Sequence, residues 1–335
     1  MTEKKEGILI HRPVELDSHT IVVTDPDRRV FGDHGPTKIE MLTYYLTVAA
    51  RIVPYLRGRC VCPVLLPDQS TAEFRFARTA SPGWPNRFPT YRLAGLSGSR
   101  LERYLSVPDT ATLAALVDYG CLSFHPWSSM AGAAQQPTYM VFNLDPEAIA
   151  FREVRNAALL LRDLLAACGL TAWVKTTGGQ GLHVLVPVRD CVSFADMRLA
   201  ADTIVRQARR REPHLFSRDP RRAKRRGRIL IDTSRNEWGA TIIAPYAVSI
   251  FGRVSAPLEW DELHGPIYPD DFGMEPVVAR KQTDLKNQVA FFAVEQSLEP
   301  LLERQAERGC RNRAGRHCHG EYHAPNVVEA LPADG

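Results

Sequence analysis

The sequence predicts an α+β protein with a mostly antiparallel sheet. Three kinds of segment support this: helices with apolar residues three and four apart, short strands rich in β-branched residues, and glycine- or proline-rich turns. Helices and strands are interleaved, but without the strict alternation that builds a parallel sheet. The chain has 335 residues, 44% of them hydrophobic, which is enough to bury one large core or two small ones.

Apolar periodicity and capping residues define the predicted helices. The first is expected over residues 38–56, with Thr37 as its N-cap and Pro54 ending or kinking it. Further helices are predicted over residues 110–119, 148–168 and 194–211, and one or two more over 275–308.

Short apolar or β-branched runs define the predicted strands. They cover residues 61–66, 122–127, 139–143, 171–175, 182–186, 228–232 and 240–244. Residues 176–181, Thr-Thr-Gly-Gly-Gln-Gly, form a glycine-rich turn. Its backbone amides could cradle a phosphate, or it could simply close a hairpin, and both readings stay open.

The most informative run is Tyr-Met-Val-Phe-Asn-Leu-Asp-Pro, residues 139–146. Strand side chains alternate, so Asn143 and Asp145 face the same way at its end. Asp232 ends another apolar strand. Such oxygen ligands suit Mg²⁺, although a lone aspartate at a strand end is more often a cap or turn residue.

Histidines and cysteines are less informative. His183 lies in an apolar strand and His125 precedes Pro126, and each could be a hydrogen-bonded core histidine. The spacing of the metal-capable residues near the C-terminus matches no standard zinc pattern. These are Cys310, His317, Cys318, His319 and His323.

Positive charge is concentrated in one stretch, although the net charge is only +4. A solvated surface is one reading, and a site for nucleic acid or another polyanion is the other. The residues are Arg206, Arg209, Arg210, Arg211, Arg218, Arg221, Arg222, Lys224, Arg225, Arg226 and Arg228.

Composition also excludes some classes. No apolar run reaches the roughly 18 residues of a membrane span, and the N-terminus lacks the apolar segment of a signal peptide. The seven cysteines are read as reduced thiols. We therefore expect a cytoplasmic protein that does not bind a membrane.

The order of these motifs resembles the polymerase domain of bacterial ligase D, in the archaeo-eukaryotic primase superfamily. The resemblance runs from about Thr24 to Leu263. The motifs that carry it are Thr24-Asp-Pro-Asp-Arg-Arg-Val-Phe, Gly35-Pro-Thr-Lys, Tyr44-Tyr, Leu56-Arg-Gly-Arg, His125-Pro-Trp, Asn143-Leu-Asp-Pro, Lys175-Thr-Thr-Gly-Gly-Gln-Gly-Leu-His, Gly227-Arg-Ile-Leu-Ile-Asp, Ala244-Pro-Tyr and Val254-Ser-Ala-Pro-Leu-Glu-Trp-Asp-Glu. It implies a primase-polymerase-like catalytic core with mixed, mostly antiparallel sheets flanked by helices.

The resemblance also implies roles for individual residues. Asn143, Asp145 and Asp232 match the catalytic carboxylates that hold two divalent metals, Mg²⁺ or Mn²⁺. One metal activates the primer 3′-hydroxyl and the other binds the triphosphate. The residues that match the nucleotide-binding positions are His125, Thr177, Gln180, His183, Arg225 and Arg235.

Two basic residues, Arg28 and Lys38, match those that grip the 5′-phosphate of a gapped DNA end. Implied partners are DNA ends or gapped duplex, nucleoside triphosphates, and possible Ku-type end-binding and separate ligase proteins. The implied organisation is a flexible arm over residues 1–20, a primase-polymerase-like domain over 21–272, a helical extension over 273–308 and a disordered tail over 309–335.

Three positions depart from the family pattern: Asn143 replaces a metal-binding acid, Gln180 replaces a phosphate-binding lysine, and Ser249 replaces an arginine beside a two-residue deletion. An amide can ligate Mg²⁺, but it adds no charge and bridges two cations poorly. Two functions therefore remain open. One is template-directed nucleotidyl transfer at DNA ends or gaps in non-homologous end joining, and the other is catalytically silent binding of DNA ends as a scaffold.

Overall fold

The structure, a computed structural model, describes residues 11–16, 19–66, 73–80, 84–95, 100–189 and 192–303. The helices are α1 (Lys38–Thr47), α2 (Ala49–Leu56), α3 (Thr110–Tyr119), α4 (Phe151–Ala166), α5 (Phe194–Arg211), α6 (Met274–Ala279) and α7 (Lys281–Ala293). The strands are β1 (His11–Leu16), β2 (His19–Thr24), β3 (Val61–Leu65), β4 (Arg75–Phe76), β5 (Thr90–Ala94), β6 (Leu101–Leu105), β7 (Cys121–Pro126), β8 (Tyr139–Pro146), β9 (Trp173–Thr176), β10 (Leu182–Pro187), β11 (Phe216–Ser217), β12 (Ile229–Asp232) and β13 (Pro257–Leu258).

Two sheets form the body of the described chain. The larger has the strand order β11-β12-β8-β10-β9-β13, and all of its pairs are antiparallel except β11 with β12. The second sheet joins β4, β3, β6 and β5, with β7 also pairing with β3. The mixed, mostly antiparallel architecture predicted from the sequence is confirmed.

Alternation along β8 gives the larger sheet two unlike faces. Phe142 and Leu144 are fully buried in the main core, which also contains the apolar faces of α4 and α5. The opposite face begins with buried Tyr139 and Val141 and continues into partly exposed Asn143 and Asp145. One end of this second face is therefore apolar and the other is polar.

Helix boundaries agree with the sequence where caps are strong. Thr37 caps α1 in a reciprocal capping box with Glu40, and α3 and α5 have the predicted ends. The single helix predicted over residues 38–56 is instead two helices. It breaks at buried Val48, whose amide donates to the carbonyls of Tyr44 and Leu46 and closes a tight turn. Pro54 lies inside α2 and does not end it.

Other predicted boundaries change. Within the arm expected over residues 1–20, residues 11–16 form β1, which pairs with β2 in an antiparallel hairpin. The strand predicted over residues 240–244 makes only an isolated bridge between Thr241 and Trp127. The C-terminal extension contains α6, α7 and helical residues 299–303, while the predicted tail and its cysteines and histidines lie outside the described residues.

Two further observations concern the described part of the chain. Its cysteines Cys60, Cys62, Cys121 and Cys168 are free thiols. None of its helices combines the length and apolar character needed to cross a membrane.

Candidate functional site

A row of polar side chains crosses four neighbouring strands of the larger sheet. Asp232 on β12 is paired with Asn143 on β8, Asn143 with His183 on β10, and His183 with Lys175 on β9. Directly opposed side chains in a sheet have Cβ atoms about 4.5–5.5 Å apart. We call Asp232, Asn143, His183 and Lys175 the polar row.

Asp145 completes the acidic end of this arrangement. It lies two residues beyond Asn143 and so faces the same side, opposite Leu230 on β12. The structure thus brings together Asn143, Asp145 and Asp232, the three predicted metal ligands, although 87 residues separate Asp145 from Asp232 in the sequence.

Arginines neutralise Asp145 in the described structure. Arg225 Nη1 lies 2.7 Å from Asp145 Oδ2, and Arg222 Nη2 lies 3.1 Å from Oδ1. Arg225 is buried, and it also donates to the carbonyls of Asp145 and Pro220. Each oxygen of this carboxylate therefore faces an arginine. Oδ1 faces Arg222 in the short 3₁₀ turn Arg222–Lys224, and Oδ2 faces Arg225, the residue after that turn.

Asp232 is less tightly held. Its Oδ1 accepts a hydrogen bond from the Ser234 amide at 2.9 Å, and its Oδ2 lies 3.8 Å from Arg235 Nε. The Arg235 side chain is 46% exposed, so the ion pair is open to solvent and weak. Asp232 therefore has weaker contacts with cationic side chains than Asp145, and a metal would displace them more easily.

These donors suit one divalent cation better than two. Two carboxylates and one amide supply the oxygen ligands that hard cations prefer, but only two negative charges. Among the described residues, no group of three histidine, cysteine, aspartate or glutamate side chains is arranged to hold a metal. A metal bound here would need Asn143 as its third ligand, and Asp145 would have to exchange an arginine for it.

Burial lowers the pKa values of the groups at the basic end of the polar row. Lys175 is 1% exposed, and its Nζ lies 2.8 Å from His183 Nδ1 and 2.6 Å from Ser255 Oγ. Burial lowers the pKa of Lys175 far below that of a free lysine. The pKa of His183 is also lowered far below that of a free histidine. Burial is the largest cause, and the charges of Lys175, Arg235 and His125 lower it further.

His125 lies close to the same row. Its Nε2 is 3.2 Å from Ser123 Oγ, and its ring meets the ring of Phe76 edge-on. Burial first, and then the charges of Lys175 and Arg235, lower the pKa of His125 to about 3. A neutral imidazole can accept or donate a hydrogen bond beside a phosphate without adding charge.

The glycine-rich turn closes the hairpin between β9 and β10. The Thr177 amide donates to the Gly181 carbonyl, and the Thr177 hydroxyl oxygen accepts from the amides of Gly179 and Gly181. The amides of Gly179 and Gly181 point into the turn, which closes the β9–β10 hairpin as one of the two readings expects. The nucleotide-binding roles of Thr177 and Gln180 stay predictions. Gln180 is exposed at the tip.

Ser249 supports this turn from the neighbouring loop. Its hydroxyl donates to the Gly178 carbonyl at 2.7 Å and accepts from the Phe251 amide at 3.2 Å. A Cβ atom at Gly178 would lie 2.7 Å from the Ser249 Cβ, and Gly178 has φ +70, so glycine is required there. Ser249 therefore stabilises the turn, at a sequence position where the family pattern has an arginine.

Arg28 and Lys38, the predicted 5′-phosphate ligands, are neighbours but face different surroundings. The Lys38 amide donates to the Arg28 carbonyl at 2.8 Å, and the Arg28 side chain is exposed. Lys38 Nζ, in contrast, is buried 2.8 Å from Asp118 Oδ1 and 2.8 Å from Thr24 Oγ1. Contact with a phosphate requires Lys38 to leave this network, and the role of both residues stays a prediction.

Sequence reasoning assigned no role to two residues of the site, Lys175 and Arg222. A lysine in an apolar strand two residues before Thr177 was a usable signal for the first. Arg222 was one of eleven basic residues in its stretch, and only the fold distinguishes it, by placing it against Asp145.

Comparison with known proteins shows the family of this chain. Residues 37–287 match the family model described as LigD, primase-polymerase domain. The chain belongs to this family. The multifunctional non-homologous end joining protein LigD of Mycolicibacterium smegmatis is 29% identical over 73% of this chain and 32% of its own length. The bifunctional LigD of Bacillus subtilis is 26% identical over 77% of this chain and 42% of its own length.

A solved structure supports the fold. The polymerase domain of Mycobacterium tuberculosis ligase D, solved in complex with DNA, superposes with a TM-score of 0.69 and 23% sequence identity. The match covers 78% of this chain and 93% of that domain. The chain thus corresponds to one domain, between about a third and two fifths of the length of these LigD proteins.

Proposed function

We propose that this protein is a template-directed nucleotidyltransferase of the ligase D polymerase type, acting at DNA ends or short gaps in non-homologous end joining. The observation that carries the proposal is the convergence of Asp145 and Asp232 with Asn143 on one face of the sheet. Family membership over residues 37–287 supports it independently.

Each part of the site has a task in this proposal. Asn143, Asp145 and Asp232 would hold Mg²⁺ or Mn²⁺, which when bound lowers the pKa of a hydroxyl and offsets triphosphate charge. His125 and His183, kept neutral, would each donate an N–H to a phosphate oxygen without competing with the cation. Arg225 is positioned to transfer from Asp145 to a phosphate group as a charge-assisted donor.

A second candidate function is the binding of DNA ends without catalysis. The observation in its favour is the loss of charge at Asn143, Gln180 and Ser249, together with two arginines already bound to Asp145. In this form the protein would be a scaffold for a Ku-type end-binding protein and a separate ligase. It would use its basic residues and need no bound nucleotide.

Primer extension tests the proposed function directly. Purified protein is incubated with a gapped duplex bearing a 5′-phosphate, the four nucleotides and Mn²⁺, beside an active relative. We expect template-dependent addition of nucleotides, with Asp232→Asn as the inactive control. Absence of extension, while the relative extends the same primer, would reject the enzyme in favour of the scaffold.

Binding measured in a chelator distinguishes the scaffold. We expect the affinity for gapped duplex to fall steeply as salt rises, because bound cationic side chains displace counterions from the phosphates. The scaffold also predicts weaker binding once the 5′-phosphate is removed. Binding that does not change with salt would exclude it.

A further inference from the structure

A cavity lies at the outer edge of the larger sheet, beyond β11. It is formed by the last turn of α5, by β11 and by the loop that leads to β12. Its volume is about 570 Å³, within the range of small-ligand sites. Its cationic lining residues are Arg209, Arg218, Lys224, Arg226 and Arg228. We call it the arginine cavity.

Cationic side chains outnumber acidic ones among the residues that line this cavity. Its one acidic lining residue, Asp219, is bound by Arg221 through the backbone amide, Nε and Nη2, each at 3.0 Å. None of the five cationic lining residues forms an ion pair with another described residue. Burial and the charge of Arg218 both lower the pKa of Arg209.

Two of the arginines are held in place by backbone carbonyls. Arg209 Nη2 donates to the Ser217 carbonyl at 3.1 Å, while its buried Nε has no partner in the described structure. Arg228 Nε donates to the Arg225 carbonyl at 2.8 Å. Anchoring of this kind keeps like charges close together and leaves their remaining N–H groups for an anion, which is how phosphate sites are preorganised.

The cavity adjoins the polar row through a single turn. Arg222 and Arg225 point from this turn to Asp145, whereas Ala223, Lys224 and Arg226 line the arginine cavity. After this turn the chain bends at Arg226 and Gly227, which both have positive φ, at 54 and 69. Side chains of one short segment therefore contact Asp145 and line the arginine cavity.

Charge also continues outside the cavity along the last turns of α5. Arg206, Arg210 and Arg211 are exposed there, and this segment spans about 8 Å at 1.5 Å per residue. A free phosphate would occupy only one point of such a surface. A nucleic-acid strand, with a phosphate at every nucleotide, can occupy both the cavity and the helix end.

We propose that the arginine cavity binds the phosphate backbone of a nucleic-acid strand that extends from the catalytic centre past the β11 edge of the sheet. This inference rests on the proposed function only in taking the ligand to be a nucleic-acid strand. Contacts to phosphates position a strand without reading its sequence. The site therefore sets how long a substrate must be for full affinity.

The test compares two double variants of the full chain. Arg218→Gln/Lys224→Gln removes two exposed cations of the cavity. Arg152→Gln/Arg198→Gln removes two exposed cations elsewhere, each paired with a glutamate. Fluorescence anisotropy in a chelator, without nucleotide, measures the affinity for primed DNA with single-stranded extensions of increasing length, at several salt concentrations.

We expect the cavity variant to match the parent on the shortest DNA and to bind longer extensions roughly tenfold more weakly. Its salt slope on long extensions should fall by about 1.4 to 1.8, since each lost phosphate contact removes about 0.7 for a single strand and 0.9 for a duplex. Arg226→Gln, which keeps a non-glycine residue at the same positive φ, should give about half of this change.

Three results would overturn the proposal: an equal loss in the control variant, a loss that does not depend on DNA length, or an unchanged salt slope. Binding of inorganic pyrophosphate that the cavity variant loses, while strand binding stays intact, would make this a site for a free anion. Because the assay needs no catalysis, an inactive protein can still show the length effect. If the protein is an active polymerase but shows no length effect, the proposed role of the arginine cavity is refuted and the proposed function is not.

Discussion

The polar row and the surroundings of Lys38 are both charged regions that resemblance assigns to metal or phosphate, yet the fold treats them differently. In the first, the Asp145 and Asp232 side chains stay 31% and 22% exposed. In the second, the Lys38 side chain is 8% exposed and bonded to Asp118. Asp145 and Lys38 both have an ion-pair partner within 2.8 Å, so burial, and not the distance to the opposite charge, distinguishes the two regions.

This difference in burial predicts which property a substitution changes in each region. Asp145 is partly exposed and one of its two arginines, Arg222, is exposed as well, so this arginine can give way to a metal with little structural change. A buried ammonium cannot leave its carboxylate without exposing an uncompensated charge. We therefore expect changes in the polar row to alter chemistry, and changes at Lys38 to alter stability.

The largest expected effect is a gain of activity from Asn143→Asp with Gln180→Lys. If each restored charge contributes about 1.5–3 kcal/mol, the nucleotide incorporation rate should rise by roughly 10² to 10⁴. Single-turnover primer extension with Mn²⁺ measures it. Asn156→Asp/Gln135→Lys adds the same charges at two exposed positions away from both sites and should leave the rate unchanged. No gain would mean that the arginines on Asp145, and not the missing charges, limit the site.

Next in size is the loss of stability from Lys38→Met. This change leaves Asp118 without its cation, and we expect the free energy of unfolding to fall by about 3 kcal/mol. Urea denaturation measures it. Lys38→Met/Asp118→Leu should recover part of the loss, because the unpaired charge is then absent. Arg28→Gln, at an exposed position, should change stability by less than about 0.5 kcal/mol. Equal losses at Arg28 and Lys38 would remove the contrast between them.

The third prediction concerns pH. The pKa of His183 is lowered in the folded state, so unfolding allows this imidazole to take up a proton below its ordinary pKa of about 6.5. Stability should therefore be full above about pH 6.5 and fall as the pH drops, by up to about 1.4 kcal/mol per pH unit. His183→Gln should reduce this acid slope in urea titrations and leave the part that is due to His125, whose pKa is lowered to about 3, whereas His214→Gln, an exposed histidine on another segment, should not change it. An acid slope equal to that of the parent would show that His183 is not held neutral.

The smallest predicted effect is at Arg222. Its 3.1 Å ion pair with Asp145 is largely exposed and is worth about 0.2–1 kcal/mol. Arg222→Gln should therefore lower the Mn²⁺ concentration for half-maximal activity or binding by about 1.5- to fivefold, as measured by titration of the metal. Arg221→Gln, which releases Asp219 instead, is the matched control. A higher metal requirement would mean that Arg222 assists the metal site and does not compete with it.

Local patterns predicted much of the fold because their causes are local. The capping box of Thr37 and Glu40 fixed the start of α1, and alternation along residues 139–146 placed Asn143 and Asp145 on one face. The break at Val48 was missed, since it depends on which side of each helix finds the core. The strand predicted over residues 240–244 does not form, because strand pairing needs a partner edge that no local pattern reveals.

The sequence by itself determined the α+β class, the residue types of the site and the loss of an acid at Asn143. Only the tertiary structure decided that Asp232 stands opposite Asn143, that Lys38 is bonded to Asp118, and that one arginine-rich stretch divides between Asp145 and the arginine cavity. The physical reason is the distance along the chain over which these interactions act. Side-chain alternation and caps act over a few residues, whereas charges find their partners across strands that the chain order leaves far apart.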